Sequence, residues 1–280
     1  MAEVDVVQVP GWRDIQWLRH GFSTRRGGVS TVYGAKSLNL GWTKEDDPAN
    51  VSENRRRLVD SVALSSRLVT VRQVHGNQIQ VVRGEDAREG RLETPEGKAV
   101  LEGDGLVTND AGVLLGVGTA DCVPVLLLDP VNRAVGAFHA GWRGTVARIV
   151  EHGVEMMARE YGSRPEELSA AIGPSIGACC YTVGEEVRER FTSEFSYGPD
   201  LFRMVQGEDG ASHLRVDLWE ANRRQLLNAG VLAERISVVG ECTSCARDDE
   251  GTPKYFSHRA QAGKTGRMLN VIGIAGSEVS

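Results

Sequence analysis

Residues 118–145 read GTADCVPVLLLDPVNRAVGAFHAGWRGT and contain two short apolar runs. The runs 123–128 and 134–138 are rich in aliphatic residues, which predicts two strands that are covered on both faces. Cys122 opens the first run and His139 follows the second. Side chains at strand ends often line clefts that a rigid scaffold holds open. We therefore predict that this thiol and this imidazole lie at the ends of neighbouring strands, in a functional site.

The composition is that of an ordinary globular protein. Of the 280 residues, 41% are hydrophobic and 25% are charged, which is enough for a large domain with a sizeable core. The formal net charge of -6 argues against a broad nucleic-acid surface, although a local basic pocket could still bind an anionic substrate. No secretory signal is recognisable, and no apolar run approaches the roughly 20 residues that span a bilayer. An odd count of five cysteines without disulfide spacing indicates the reducing cytoplasm.

The remaining elements predict an α+β fold with mixed sheets, in a single domain that spans residues 1–280. Short β-branched runs alternate with helical periodicity, but without the regular rhythm of a βαβ fold. Residues 84–104 are polar and glycine-rich, which predicts a surface loop or hairpin insert. The predicted strands are Leu68–Val74, Gln78–Val82, Val113–Val117, Val123–Leu128, Ala134–Phe138, Ile236–Val239 and Val271–Ile274. The predicted helices cover 48–62, 145–161, the segment with Val187, Phe191 and Phe195, and the segment from the N-cap Asp217 to a stop at Gly230.

His75 is a third candidate beside Cys122 and His139, because it follows a predicted strand and precedes the turn former Gly76. Two imidazoles and one thiolate suit Zn²⁺ or copper, and three protein ligands leave a fourth position open, as in catalytic zinc sites. The residues alone leave two other interpretations open. Each side chain could be an ordinary core or turn residue, or Cys122 could be a nucleophile with His139 as its base.

Four other cysteines form two short motifs, CTSC at 242–245 and CC at 179–180. A single CxxC could be a redox dithiol or half of a zinc site, but two unlinked reduced thiols are the more common case. We interpret Cys179 and Cys180 as small, buried packing residues. We accordingly expect that serine at both 242 and 245 would leave metal content and activity largely intact.

A small anionic substrate needs permanently charged partners, and three arginines lie beside glycine or other small residues. Arg25 lies in FSTRRGGVS, Arg143 lies close to the start of a predicted helix, and Arg259 lies in a polar segment before the last strand. Asn39, in SLNLG, adds an amide that could bind a substrate. For each arginine, a solvated surface charge is the more common role, and a turn-forming amide is the alternative for Asn39.

Taken together, the motifs resemble the YfiH/YlmD family, also called laccase-domain or polyphenol-oxidase-family proteins. The similarity covers about residues 20–275. One departure is Ala260, which replaces an arginine of the pattern SHRRDG or SYRRDG. The motifs, in chain order, are FSTRRGGVS, SLNLG, VSENRRRL, RQVHGNQI, GDGLVTN, GTADCVPVLLLDP, GAFHAGWRGT, AIGPSIGACCYTVGEEV and YFSHRAQAGKTGRMLNVIGI.

The resemblance implies a single α+β domain of layered, mixed sheets flanked by helices, with a metal held by His75, Cys122 and His139. It implies a zinc-dependent purine nucleoside phosphorylase that acts on adenosine, inosine and methylthioadenosine and also deaminates adenosine. Purine nucleosides and phosphate are then the expected partners of a cytoplasmic monomer or small homo-oligomer. The alternatives are a copper-dependent polyphenol oxidase and a protein that edits peptidoglycan precursors. With the metal ligands we group Arg143 as catalytic, Arg25, Asn39 and Arg259 as substrate-binding, and Asp104 and Asp121 as acid/base candidates.

Overall fold

The computed structural model describes residues 3–207 and 210–276, in which five strands form a first, mixed sheet. The order across this sheet is β1-β2-β14-β7-β4, and only the pair β4–β7 is parallel. Numbered along the chain, its strands are β1 (Val6–Val7), β2 (Leu18–Ser23), β4 (Arg67–Thr70), β7 (Val113–Thr119) and β14 (Met268–Ile274).

A second mixed sheet of six strands has the order β13-β10-β8-β9-β6-β5. Its two outermost pairs, β10–β13 and β5–β6, are parallel, and the pairs between them are antiparallel. Its strands are β5 (Ile79–Val81), β6 (Gly105–Thr108), β8 (Val123–Asp129), β9 (Ala134–Ala140), β10 (Ser169–Ile172) and β13 (Ile236–Val238).

Three short strands, six α-helices and four short 3-10 helices complete the secondary structure of the described residues. The strands are β3 (Arg26–Ser30) and the antiparallel pair β11 (Phe202–Gln206) and β12 (Ser212–Val216). The helices are α1 (Pro48–Val62), α2 (Gly84–Arg88), α3 (Trp142–Val146), α4 (Ile149–Tyr161), α5 (Glu185–Glu194) and α6 (Leu218–Asn228). Within the described residues, no helix has the length and apolar content needed to cross a membrane.

The two sheets pack face to face because successive side chains of a strand point to opposite faces. Leu126 and Leu128 of β8 share a core cluster with Leu115 of β7. Val125 and Leu127 instead pack with residues of α4, α5 and α6. On the far side of the first sheet, α1 packs against β7 and β14. The result is four layers, helix, sheet, sheet and helices, which confirms the predicted α+β fold with mixed sheets.

One predicted helix, 145–161, is in fact two. Helix α3 ends at Val146 and α4 begins at Ile149, because Arg148 adopts the left-handed conformation with a φ of 59°. The Arg148 guanidinium lies 2.9 Å from the Glu151 carboxylate and 2.7 Å from that of Glu194. The apolar periodicity persists across the break because both helices pack on the same core. Apolar spacing therefore could not reveal the break.

Candidate active site

The register of β8 and β9 brings Cys122 close to His139. In this antiparallel pair, Val123 is opposite Ala140 and Pro124 is opposite His139, so Cys122 lies just beyond the same end of the sheet. At the other end, the Asp129 carboxylate accepts the backbone N–H groups of Val131 and Asn132, which closes the turn. The predicted position of Cys122 and His139 at the ends of neighbouring strands is confirmed, with Cys122 directly before β8 and His139 next to the last residue of β9.

His75 reaches the same place from a connection that passes between the two sheets. Strand β4, predicted to run to Val74, ends at Thr70, and the next strand, β5, belongs to the second sheet. The Gln73 side chain exchanges two hydrogen bonds with the backbone of Gly118, at 2.7 and 2.8 Å, which holds the connection against β7. His75 itself is left-handed, with a φ of 63°. Such a conformation is costly for a residue with a side chain and needs support from its surroundings.

Asp104 provides that support. This fully buried carboxylate accepts the backbone N–H groups of Val74, His75 and Gly76 at 2.7–3.3 Å. It also lies 2.8 Å from Nδ1 of His139. Burial raises the pKa of Asp104, but the bonds from His139 and from the backbone outweigh it and hold the pKa below its usual value. Asp104 is therefore an ionised group that fixes the backbone at His75 and orients the His139 ring, and it leaves Nε2 of His139 available for a metal.

The three predicted ligands converge into one cluster. One ligand atom from each of His75, Cys122 and His139 lies within 4.8 Å of the others. The two imidazole rings are nearly perpendicular, with centroids 4.8 Å apart. Gly141 leaves room for this cluster. A Cβ at position 141 would lie only 3.0 Å from Sγ of Cys122 and 3.3 Å from the His75 ring.

The electrostatics of the cluster favour a thiolate. Burial raises the pKa of Cys122, but the charges and hydrogen bonds of His139 and His75 prevail and lower the pKa to about 6. Burial likewise lowers the pKa of His139, yet the Cys122 thiolate and the Asp104 carboxylate raise it to about 9. A metal would displace the proton of His139, and the resulting thiolate and two neutral imidazoles are a donor set that fits Zn²⁺ or copper.

A cavity of about 900 Å³ opens above the cluster and is strongly cationic, although the whole chain is acidic. Asp121 is the one carboxylate among the described residues that line it. Both Asp121 oxygens already accept hydrogen bonds, from the Thr243 hydroxyl at 2.7 Å and the Arg259 backbone N–H at 2.7 Å. Low-dielectric walls strengthen such a field, so the cavity attracts anions. The cationic side chains that line it are Arg55, Arg72, Lys98, Arg143, Arg259 and Arg267.

Two of the predicted arginines, Arg143 and Arg259, lie in this cavity. The Arg143 guanidinium stacks on Trp142, with Cζ 4.4 Å from the ring centroid. That of Arg259 stacks on Tyr181 and donates to the Thr182 carbonyl at 2.8 Å. Helix α3, which contains Arg143, has only five residues, so the helix-dipole support expected from the sequence is small.

Arg25 and Asn39 do not line this cavity. The Arg25 guanidinium stacks on Phe256, donates to the carbonyl of Tyr33 and borders a separate depression. Asn39 is fully buried, and its Oδ1 accepts the backbone N–H of Arg267 at 2.9 Å. Its effect on the cavity is therefore indirect, because Arg267 is one of the lining cations. The glycines that follow Arg25 suggested that its backbone approaches an anion. In the structure, Gly27 and Gly28 instead pack closely against other backbone segments of the chain.

Sequence reasoning missed Trp42, Arg55, Lys98 and Arg267 as part of the cavity. Arg55 stacks on Trp42 at 4.9 Å and donates to the Leu40 carbonyl at 2.9 Å, and burial lowers its pKa to about 10. Arg55, Arg56 and Arg57 are consecutive in α1 and therefore point in different directions, and the last two pair with Glu53. The three arginines look alike in the sequence, so the sequence does not indicate which of them reaches the cavity. Lys98 comes from the insert 84–104, which holds the short helix α2, a bridge between Glu93 and Ala99, and a bridge from Glu102 to Arg72.

The other four cysteines also converge, contrary to the sequence-based interpretation. Cys179 is exposed and Cys180 half-buried, so neither is the fully buried packing residue that we expected. They meet Cys242 and Cys245, and the four sulfur atoms lie within 4.8 Å of one another. The cause is tertiary, because the loop after β10 and the loop after β13 run side by side, with Ser175 bridged to Cys242.

Comparison with known proteins places the chain in a family. A family model described as multi-copper polyphenol oxidoreductase laccase matches residues 19–275. The purine nucleoside phosphorylase YlmD of Geobacillus stearothermophilus is 40% identical, over 92% of this chain and 94% of the relative. Adenosine deaminase RL5, from an unknown prokaryotic organism, is 37% identical over 90% and 92%. The crystal structure of the Bacillus licheniformis hypothetical protein YfiH aligns with a TM-score of 0.83 and 34% identity over 96% of both chains. The chain therefore belongs to the multi-copper polyphenol oxidoreductase laccase family, and the resemblance to YfiH and YlmD proteins is confirmed.

Proposed function

We propose that this protein is a metal-dependent purine nucleoside phosphorylase that acts on adenosine, inosine and methylthioadenosine. The observation that carries the proposal is the strongly cationic cavity directly above the cluster of His75, Cys122 and His139. A phosphorylase must bind an anionic co-substrate and an uncharged, flat nucleoside side by side. The names of curated relatives, such as the phosphorylase YlmD, support the same reaction class.

The guanidinium groups of Arg143 and Arg259 would bind phosphate. Each is already ordered by stacking on an aromatic ring, which reduces the entropy lost when it binds an anion. Phosphate oxygen attacks C1′ of the ribose, and the bond between C1′ and N9 of the purine breaks. The proton of the phosphate ends on the purine, so the products are the free base and ribose 1-phosphate. Fixed positive charge holds the nucleophile in place for this attack.

Aromatic side chains in the same cavity suit the purine. Trp42, Trp142 and Tyr181 line its walls, and flat rings favour stacking with a planar base. The metal is assigned to His75, Cys122 and His139, and Zn²⁺ is preferred because this donor set matches three-ligand catalytic zinc sites. When bound, Zn²⁺ would supply Lewis-acid polarisation at the reacting centre. Asp104 would hold the His75 backbone and the His139 ring in place around it.

We also propose that the same cavity deaminates adenosine, as the name of the relative RL5 suggests. Of the acid/base candidates, Asp104 is fully buried and its low pKa keeps it ionised, so it does not donate a proton. Asp121 faces the cavity, but both of its oxygens are engaged. The proposed partners are thus small molecules, and a cytoplasmic monomer or small homo-oligomer without nucleic-acid or membrane partners remains our expectation.

Copper-dependent phenol oxidation is the second candidate, because the family description names it and two histidines with a cysteine also suit copper. Four-electron reduction of oxygen uses several copper ions with many histidine ligands. In residues 3–207 and 210–276, the two groups able to hold a metal contain only two histidines between them. This ligand count favours the phosphorylase.

The test is phosphate dependence. Zinc-loaded protein should convert adenosine or inosine to free base and ribose 1-phosphate, and base release should stop when phosphate is omitted. Arg143→Ala should raise the KM for phosphate more than tenfold, as expected for the loss of about 1.5–3 kcal/mol from a charged hydrogen bond. Arg133→Ala is the matched control, because Arg133 stacks on Trp17 away from the cavity. Base release at an unchanged rate in phosphate-free buffer would rule out the phosphorylase.

A further inference from the structure

We propose that this protein has a second metal site, in which Cys179, Cys180, Cys242 and Cys245 bind one structural Zn²⁺. The four sulfur atoms lie within 4.8 Å of one another. Tetrahedral sites with four sulfur ligands bind zinc or iron, and closed four-ligand sites of this kind are typically structural. This site is independent of the proposed catalytic function, because it shares no ligand with His75, Cys122 and His139.

The spacing of the sulfur atoms is that of a metal site. With zinc–sulfur bonds of about 2.3 Å, a tetrahedron places its sulfur atoms about 3.8 Å apart. Cys179 Sγ and Cys245 Sγ are 3.7 Å apart. A disulfide would require about 2.05 Å. The sulfur atoms of Cys180 and Cys242 lie within 4.8 Å of the others, about 1 Å or less beyond that edge length.

The backbone at Gly177 packs closely around the sulfur atoms. The Gly177 N–H donates to Sγ of Cys242 at 3.3 Å, a contact that favours the thiolate a metal requires. A side chain at position 177 would not fit, because its Cβ would lie 2.8 Å from the Trp219 ring and 3.3 Å from Sγ of Cys179. The CxxC spacing of Cys242 and Cys245 is also the commonest spacing of paired zinc ligands.

The site would fasten the loop after β10, whose Ile176 and Tyr181 line the cavity, to the loop after β13. Ser175 and Thr243 join the loops through the Thr243 N–H, which donates to the Ser175 carbonyl at 3.0 Å. Both loops then converge on Asp121, next to Cys122 in the chain. The Ile176 N–H donates to the Asp121 backbone carbonyl at 2.9 Å, and the Thr243 hydroxyl donates to the Asp121 carboxylate at 2.7 Å. Zinc at the four cysteines would thus stabilise the position of Asp121 without contacting substrate.

This proposal reverses our sequence-based expectation for the metal content of the CxxC variant. Full-length protein produced with zinc should contain about two zinc ions per chain, and about one after Cys179→Ser with Cys245→Ser. These two cysteines are exposed, so the substitutions should spare the fold. Ser244→Ala, between the paired cysteines, is the matched control and should retain both ions. Cys122→Ser should lose the other ion, together with nucleoside turnover.

A measurement on the unmodified protein covers the case in which the variant misfolds. With zinc bound, Cys179 and Cys245 should resist alkylation by N-ethylmaleimide despite their exposure, and a chelator should make them reactive. Mass spectrometry of tryptic peptides locates the modified residues. Equal zinc content in the double variant and the unmodified protein, a disulfide between these cysteines, or iron in place of zinc would each overturn the proposal.

Discussion

His20 is an imidazole buried in β2, with only 2% of its surface exposed. Its Nε2 accepts the Val9 N–H at 3.0 Å, and its ring meets the edge of Trp12. Burial, together with the charge on Arg13, lowers the pKa of His20 to about 4. The residue is therefore neutral in the folded protein at a pH where it would be protonated in the unfolded chain.

The stability of the protein should therefore fall as the pH decreases from about 6.5 to 4. Over that interval the unfolded chain binds a proton at His20 and the folded protein does not, which costs about 3 kcal/mol of unfolding free energy at the lower end. Above pH 6.5 both states are neutral and the contribution is constant. Urea titrations of the unmodified protein and His20→Gln at several pH values test this, because the other titrating groups cancel in the difference. Parallel pH curves for the two proteins would contradict it.

Helix α6 shows how one element connects a predicted cap to the active site. Asp217 accepts the Glu220 N–H at 3.0 Å, as the sequence predicts for an N-cap. Glu220 does not return the bond, because its carboxylate pairs with Arg224 and the Asp217 N–H donates to Leu201. Further along the helix, the Gln225 side chain donates to the Thr145 carbonyl at 2.6 Å. Helix α6 therefore supports α3, the element that places Arg143 in the cavity.

Removal of the Asp217 cap should destabilise helix α6 and lower the stability of the protein measurably. Asp217→Ala leaves the Glu220 N–H without its acceptor and should lower the free energy of unfolding by about 1 kcal/mol. Asp217→Asn keeps an acceptor oxygen and should retain most of the stability, which makes it the matched control. Urea unfolding followed by circular dichroism provides the measurement. An alanine variant as stable as the asparagine variant would show that the cap contributes nothing.

At the scale of the whole molecule, the contact between layers positions the metal ligands. Phe138 immediately precedes His139 and is fully buried between the second sheet and α4. Three glycines make room for its ring: a Cβ at Gly105, Gly136 or Gly153 would lie 2.7–2.8 Å from it. Gly153 is in α4 and the other two are in strands, so the slot exists only when helix and sheet are packed. A displaced ring would shift the end of β9 and, with it, His139.

Gly153→Ala should therefore destabilise the protein, although alanine favours helices. The gain in helix propensity is about 1 kcal/mol, whereas overpacking of a dense core costs about 1–3 kcal/mol. We expect a net loss, because the new methyl group meets the ring at 2.7 Å and the core cannot yield freely. Phe138→Leu in the same chain should recover part of the loss, so the two changes should not be additive. If Gly153→Ala unfolds at the same urea concentration as the unmodified protein or at a higher one, the space around the Phe138 ring can accommodate a methyl group and the prediction is wrong.

The sequence alone predicts the features that depend on local periodicity and on near neighbours in the chain. The apolar runs at 123–128 and 134–138 form the strand pair that joins Cys122 and His139, since only a short turn separates them. The N-cap Asp217 and the helix over 48–62 follow from patterns of a few residues. The YfiH/YlmD motifs also indicate the family and the layered α+β fold.

Only the tertiary structure decides which distant side chains share a cavity. Cys179 and Cys245 are 66 positions apart, and their meeting depends on β10 pairing with β13. Arg55 and Arg25 look alike in the sequence, yet one lines the cavity and the other borders a separate depression. The physical reason is that local patterns specify the face a residue presents, whereas its partners depend on how whole layers pack. The burial and the net charge of the cavity depend on residues that all of those layers contribute.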